Sequence, residues 1–136
     1  MISRVPGVGQ AYLGAHRDNE GHAFDGGQSY RLHVPPDPPA KQFWSVTLYD
    51  AGTRAIVQNA EQIADRSSRQ PDLAQNADGS VDLYFGPTAP QGHETNWIPT
   101  APGRAWFTWL RLFAPTESYF ERSWELGDIT RITTAS

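Results

Sequence analysis

Four side chains in this sequence are of the types that hold a flat ligand against a protein surface. Trp44, Tyr49 and Trp97 supply aromatic rings, and Arg111 supplies a planar guanidinium. Rings stack on sugars and other planar faces, and the arginine fork binds carboxylate or phosphate through two parallel hydrogen bonds. We predict a ligand-binding surface that contains these four residues. The alternative is that the rings belong to the core and that Arg111 stacks on a neighbouring ring or pairs with an acid such as Asp50.

A second group of polar residues is continuous in sequence. The segment His93–Trp97 collects an imidazole, a carboxylate, an amide and an indole ahead of the bend at Pro99. Loops held by a rigid scaffold often carry function, so we add Asn96 to the predicted ligand-binding residues. The alternative is that Asn96 ties down its own backbone and that Trp97 covers a sheet edge.

Hydrolytic chemistry would need a pair of carboxylates, and Asp50 and Glu94 are the candidates for acid and base. The distance between two carboxylates decides their mechanism, and the sequence does not specify that distance. The sequence contains no G-x-S-x-G motif for a serine nucleophile. We therefore assign no catalytic residue and keep a hydrolase as an alternative function.

Metal and cofactor motifs are weak. His16, Asp18, His22 and Asp25 are ligand-type residues, but their spacing is generic and is explained more simply by Asx and glycine turns. The segment Gly7–Gly9 begins a dinucleotide-binding pattern in which tyrosine replaces the third glycine. We predict neither a metal site nor a cofactor.

Composition excludes several classes of partner. The chain has 136 residues with 11 basic and 15 acidic side chains, a net charge of −4, and the basic residues are scattered singly. This pattern argues against nucleic-acid binding. No apolar run approaches the roughly 18–20 residues of a membrane helix, and residues 1–10 do not form a signal peptide, so we expect a soluble chain. The absence of cysteine excludes disulfides and thiolate chemistry but leaves the compartment open.

Apolar residues alternate with polar ones in short runs, which is typical of β-strands. Tyr30–Val34 alternates strictly, and Phe43–Tyr49 is rich in aromatic and β-branched residues. Trp106–Phe113 is apolar on both faces, as expected for a central strand. The residues placed on core faces are Tyr30, Leu32, Val34, Trp44, Val46 and Leu48.

Turn residues predict two hairpins. Asp50–Gly52 leads into a returning strand at Arg54–Val57. The Asp-Gly pair at Asp78–Gly79 is expected to join Asp72–Ala74 to Val81–Phe85, because Asp-Gly between alternating runs is a strong hairpin signal.

The predicted fold is a single all-β domain spanning residues 1–136. About seven or eight short strands with frequent turns favour an antiparallel two-sheet sandwich, jelly-roll-like in its connections. One short helix is predicted at Glu117–Arg122, where Thr116 can cap it after Pro115.

The order of several motifs resembles one bacterial family. These motifs are Phe43–Asp50, Asp78–Ser80, Gly86–Pro87, Asn96–Thr100, Pro102–Gly103, Arg111–Phe113 with Pro115, and Trp124. Between about Tyr12 and Ile132 the chain resembles the domain of unknown function 1214 family. The resemblance implies a jelly-roll-like β fold and no settled activity. Larger members resemble this chain only in their C-terminal part and carry a companion upstream domain.

The leading hypothesis for function is a non-catalytic β-sandwich module that binds a small molecule or glycan on its aromatic surface. One alternative is a hydrolase-type enzyme with carboxylate or histidine residues at the same rim. Another is a structural domain that docks onto a partner domain or onto a second copy of the chain.

Overall fold

Ten β-strands form most of the chain that the structure describes. The structure, a computed structural model, describes residues 2–7, 10–18, 20–36, 40–56, 65–70, 73–90, 92–115, 126 and 129–132. Among these residues it contains no helix long and apolar enough to span a membrane. The helix predicted at Glu117–Arg122 lies outside the described residues.

The larger of two sheets has six strands. They are β1 (Ile2–Gly7), β2 (Gln10–Ala15), β3 (Phe24–Asp25), β5 (Ala40–Asp50), β6 (Asp65–Ser67) and β9 (Ala105–Pro115). Their order is β1-β2-β9-β5-β6, all antiparallel, and β3 also pairs with β9. The long strand predicted around Trp106–Phe113 is therefore central, as its apolar residues on both faces require.

The smaller sheet has four strands in the order β10-β4-β7-β8. They are β4 (Ser29–Val34), β7 (Val81–Gly86), β8 (Trp97–Pro99) and β10 (Thr130–Ile132). A wholly antiparallel fold is wrong here, because β7 and β8 run parallel. The connection between them passes through a 3-10 turn at Glu94–Asn96, and a connection that crosses over in this way returns the chain in its original direction.

Alternation along the strands decides which side chains are buried. In β4, Tyr30, Leu32 and Val34 are buried while Arg31 and His33 are exposed, as predicted. In β5 the buried hydrophobic residues are Trp44, Val46 and Leu48, also as predicted.

A group of aromatic rings joins the two sheets. The Trp106 ring stacks on Phe24 at 4.2 Å and on Phe85 at 4.8 Å, and Tyr30 meets it edge-on at 5.4 Å. Trp106 belongs to the large sheet, whereas Tyr30 and Phe85 belong to the small one. Each such pair contributes roughly 0.5–1.5 kcal/mol beyond the burial of its area, so the ring group fixes how the sheets pack.

One predicted hairpin is present in reduced form and the other is not. After Asp50 the chain turns back and meets β5 through a single bridge between Tyr49 and Ile56. At Asp78–Gly79 a tight turn forms, with Gly79 at φ +88°, but residues 73–76 form no strand. The backbone of Ala74 bonds to the side chain of Asn96 instead, and both sides of β7 are already paired with β4 and β8.

Candidate functional site

A cavity of about 400 Å³ opens where the ends of β5 and β9 meet two connecting segments. Leu48 and Trp106 lie in its wall together with Ala105. The turn after β5 contributes Ala55 and Ile56. A cavity of this size, lined mostly by apolar groups with a few polar ones, is typical of small-molecule sites. We call it the β5–β9 cavity.

The segment at residues 100–104 closes one side of the β5–β9 cavity and is held in place by Gly26. The Gly26 N–H donates to the carbonyl of Arg104 at 3.0 Å, and the Thr100 hydroxyl donates to the carbonyl of Gly26 at 2.7 Å. A Cβ on residue 26 would lie 1.9 Å from the carbonyl oxygen of Ala101. Only glycine permits this approach, so residue 26 determines the position of the cavity wall.

Asp50 organises the opposite side of the β5–β9 cavity. Its Oδ1 accepts hydrogen bonds from the N–H groups of Gly52 at 2.8 Å and Thr53 at 3.0 Å. Its Oδ2 accepts from Nε of Arg104 at 2.6 Å. The turn also holds Arg54 at φ +62°, a left-handed conformation that non-glycine residues seldom adopt.

These bonds lower the pKa of Asp50. The hydrogen bond from Arg104, followed by the one from the Thr53 N–H, lowers that pKa to about 2. A carboxylate with so low a pKa is ionised at neutral pH and is a weak base. The arrangement therefore suits Asp50 to fixing Arg104 and the turn, and gives no support to a role as acid or base.

The pH dependence of stability follows from this shift. Because the folded pKa of Asp50 lies below its unfolded value of about 3.9, the unfolded chain binds more protons between about pH 4 and 2. The free energy of unfolding should therefore fall as pH falls through that window. Urea titrations at a series of pH values measure this dependence. Between about pH 4 and 2, the free energy of unfolding should fall less steeply in Asp50→Asn than in the unsubstituted chain. Arg104→Met should behave like Asp50→Asn. An unchanged slope in both variants would contradict the assignment.

Trp106 presents an unusual polar group next to the β5–β9 cavity. The residue is 3% exposed, and its Nε1–H meets no hydrogen-bond acceptor among the described residues. A buried donor without a partner costs about 1–3 kcal/mol. A ligand acceptor in the cavity would remove that cost.

The five residues predicted to bind ligand do not share one surface, and none of them lines the β5–β9 cavity. Trp44 is 5% exposed and lies in the core between the sheets. Tyr49 lies on the opposite face of the same strand, where it accepts a hydrogen bond from Arg111 and stacks on Phe107 at 5.3 Å. Asp50 pairs with Arg104 rather than with Arg111.

Asn96 is 3% exposed and fastens two neighbouring segments. Its side chain accepts from the Ala74 N–H at 2.9 Å and donates to the carbonyls of Ala74 at 2.9 Å and Asp82 at 3.0 Å. The Thr95 hydroxyl also donates to it. Asn96 therefore has a structural role, but its side chain holds residue 74 and β7 rather than the backbone of its own loop.

The rest of the His93–Trp97 segment is held from outside. Arg66 donates to the carbonyls of Trp97 at 2.9 Å and Glu94 at 3.1 Å. Trp97 is half-buried on the outer face of the small sheet, and its Nε1–H donates to the carbonyl of Gly86 at 3.0 Å. Hydrogen bonds from the N–H groups of Glu94 itself and Gly92 lower the pKa of the Glu94 carboxyl.

The ligand-type residues near the N-terminus serve turns. Asp18 is buried and accepts from the N–H groups of Glu20 and His22, while Asp25 accepts from that of Gly27. Within the described ranges, no three His, Asp or Glu side chains are placed to hold a metal ion.

The sequence of the chain matches a known protein family. The family model described as "Protein of unknown function (DUF1214)" matches residues 9–117. The chain belongs to this family. No curated protein matches the DUF1214 chain.

Two solved structures share the fold of the DUF1214 chain. The VPA0106 protein from Vibrio parahaemolyticus is 20% identical, with a TM-score of 0.80 over 95% of this chain and 32% of that one. An uncharacterized protein from Burkholderia cenocepacia is 14% identical, with a TM-score of 0.65 over 96% of this chain and 34% of that one. The DUF1214 chain thus spans about a third of the length of either neighbour.

Sequence reasoning missed the residues that line the cavity of the DUF1214 domain. Arg104 stands alone after the Pro102–Gly103 turn, and Trp106 reads as an ordinary residue of a central strand. Asp50 was singled out, but its partner was not. One signal was available. Asp50–Gly52 and Pro102–Gly103 are turns at the ends of two long predicted strands, and these two turns lie side by side if the strands pair antiparallel.

Proposed function

We propose that this DUF1214 domain is a non-catalytic module that binds a small molecule in the β5–β9 cavity. The observation that carries the proposal is the Trp106 Nε1–H, a buried donor without an acceptor among the described residues, on a residue that lines that cavity. The rings of Phe24, Tyr30 and Phe85 pack against the indole and fix its orientation before any ligand binds.

Indole resonances test this proposal directly. The chain has five tryptophans, each with one indole N–H signal in a ¹H–¹⁵N spectrum. Benzoate, benzamide and benzyl alcohol are suitable probes, because all three carry an acceptor on a small apolar body. We expect saturable shifts of the Trp106 signal with Kd values on the order of 1 mM, as is usual for fragments.

Trp106→Phe assigns the signal and removes the donor, and it should weaken binding of the probes several-fold. Trp97 is the internal control, because its N–H already donates to the carbonyl of Gly86 and its signal should stay in place. Equal shifts at both residues, or no shift with any probe, would overturn the proposal.

Glycan binding is a second candidate, supported by one feature of the small sheet. Tyr84 and Trp97 are register partners in parallel strands, both half-buried on the outer face, and His93 packs against Tyr84 at 4.7 Å. Adjacent rings on an outer face suit stacking on a sugar. If this face binds glycans, retardation in gels containing polysaccharide should disappear in Trp97→Ala and persist in Trp106→Phe.

Other expectations from the sequence stay proposals. They are the hydrolase alternative, docking onto a partner domain or a second copy, the jelly-roll-like connectivity and ligand binding by Trp44, Tyr49, Asn96, Trp97 and Arg111. Docking would be favoured by a contiguous exposed apolar patch. Within the described part of the chain, Ile56 is the one exposed large hydrophobic side chain, at 49%, and it lies at the β5–β9 cavity.

A further inference from the structure

The polar groups around the β5–β9 cavity differ in whether they already form hydrogen bonds within the protein. Both carboxylate oxygens of Asp50 accept hydrogen bonds, from Gly52, Thr53 and Arg104. The carbonyl of Ala101 accepts from the Arg104 N–H. The acceptors of this wall are therefore committed to the fold.

Other carbonyls of the wall are committed in the same way. The carbonyl of Ala55 accepts from the Asp50 N–H at 2.8 Å, and that of Ala105 accepts from the Ala51 N–H at 3.0 Å. The Thr100 hydroxyl donates its hydrogen bond to the carbonyl of Gly26. A ligand entering the cavity finds few acceptors to satisfy a donor of its own.

Donors, in contrast, remain. Trp106 keeps its Nε1–H, and Arg104 uses Nε for Asp50, which leaves the two terminal nitrogens of the guanidinium without a bond to another described residue. Arg104 is 59% exposed in its side chain, so its terminal nitrogens can meet a ligand at the cavity mouth. The Asp50 contact restrains the guanidinium, which reduces the ordering cost of binding.

Apart from the Thr53 hydroxyl, the remaining wall is apolar. Leu48, Ala105 and the exposed side chain of Ile56 line it. A buried donor with no acceptor in the described part of the chain, a restrained cation and an apolar wall define a complementary ligand. That ligand has acceptor oxygens, a negative charge and a small hydrophobic group.

We infer that the β5–β9 cavity selects small apolar carboxylates through Arg104 and the Trp106 N–H. This inference rests on the proposed function and adds the chemical class of the ligand. A carboxylate has two acceptor oxygens, one for each of these donors, and hydrogen bonds to charged groups are roughly twice as strong as neutral ones. An amide of the same shape supplies a single acceptor oxygen and places an N–H₂ group where the wall offers few acceptors.

Probes of the same shape test the selectivity for carboxylates separately from the binding of small molecules in general. We expect benzoate to bind the full chain at pH 7 at least about tenfold more tightly than benzamide, with both shifting the Trp106 indole signal. Raising the KCl concentration should weaken benzoate and leave benzamide unchanged, because salt screens the exposed end of the interaction.

Arg104→Met should abolish the preference for benzoate while benzamide still binds, since methionine keeps the apolar stem and removes the charge. Arg54→Met is the matched control. Arg54 lies in the turn after β5 that Asp50 closes, but its guanidinium is near the Phe107 ring at 5.9 Å, so this variant should keep the preference.

If benzamide bound as tightly as benzoate, the inference would be overturned and the proposed function would stand. A preference that survives Arg104→Met, or is lost equally in Arg54→Met, would also overturn it. Absence of a Trp106 shift with every probe would overturn the proposed function as well.

Discussion

Replacing Gly26 by alanine should destabilise the domain by at least about 3 kcal/mol, the upper end of what overpacking usually costs. The new Cβ would lie 1.9 Å from the carbonyl oxygen of Ala101 and 2.6 Å from that of Arg104. Both are backbone atoms, so no side chain can rotate away to relieve the clash. The segment at residues 100–104 would have to move, and with it the hydrogen bonds that Gly26 exchanges with Thr100 and Arg104.

Gly27→Ala is the matched control for that experiment. A Cβ at residue 27 would be 3.5 Å from Oδ1 of Asp25, an ordinary van der Waals contact, and the residue is exposed. Its free energy of unfolding should change by less than about 0.5 kcal/mol. Urea denaturation followed by circular dichroism measures both variants. The account of the close approach would be wrong if the two alanine variants were equally stable.

Gly26→Ala should also disturb the β5–β9 cavity. If the variant retains folded structure at low temperature, its Trp106 indole signal should be displaced, because residues 100–104 form part of the cavity wall. Probe binding should weaken in parallel. Gly27→Ala should bind the same probes with unchanged affinity.

Asn96→Ala should cost roughly 2–4 kcal/mol, because buried backbone groups would lose their partners. The Ala74 N–H, the Ala74 carbonyl and the Asp82 carbonyl all bond to the Asn96 side chain. The variant leaves a space in a site that is 3% exposed, where alanine offers neither donor nor acceptor. Thermal and urea denaturation should both report the loss.

Two variants make this second experiment specific. Gln75→Ala changes an exposed neighbour and should stay within about 0.5 kcal/mol of the unsubstituted chain. Asn96→Asp keeps an acceptor for the Ala74 N–H but loses both donated bonds, so its stability should also fall. A small effect of Asn96→Ala would mean that the contacts with Ala74 and Asp82 do not hold the segment. A large effect on stability with unchanged probe binding would separate Asn96 from the β5–β9 cavity.

The strands were predictable because their signal is local. Alternation in Tyr30–Val34 and Phe43–Tyr49 identified both the elements and the residues that face the core. The same alternation argued against the predicted ligand surface. Trp44 and Tyr49 are separated by an odd number of positions in one strand, and such residues point to opposite faces.

The Asp78–Gly79 turn marks the limit of local signals. A turn residue specifies that the chain reverses, and Gly79 at φ +88° reverses the chain here. A turn residue does not specify which strand the following strand pairs with. Here Asn96, distant in sequence, bonds the backbone of Ala74, and β7 pairs with β4 and β8.

By itself the sequence determined a β-rich chain, its principal strands, their inward residues and its family, because these depend on neighbouring residues and on the order of motifs. Tertiary structure alone decided that Gly26 holds residues 100–104 against the ends of β5 and β9, that Asp50 meets Arg104, and that Trp106 keeps a buried N–H beside a cavity. These contacts join residues separated by more than fifty positions in some cases, such as Asp50 and Arg104, and depend on strand register. Register is strongly specified where one face of a strand is buried, and that burial comes from the packing of both sheets together.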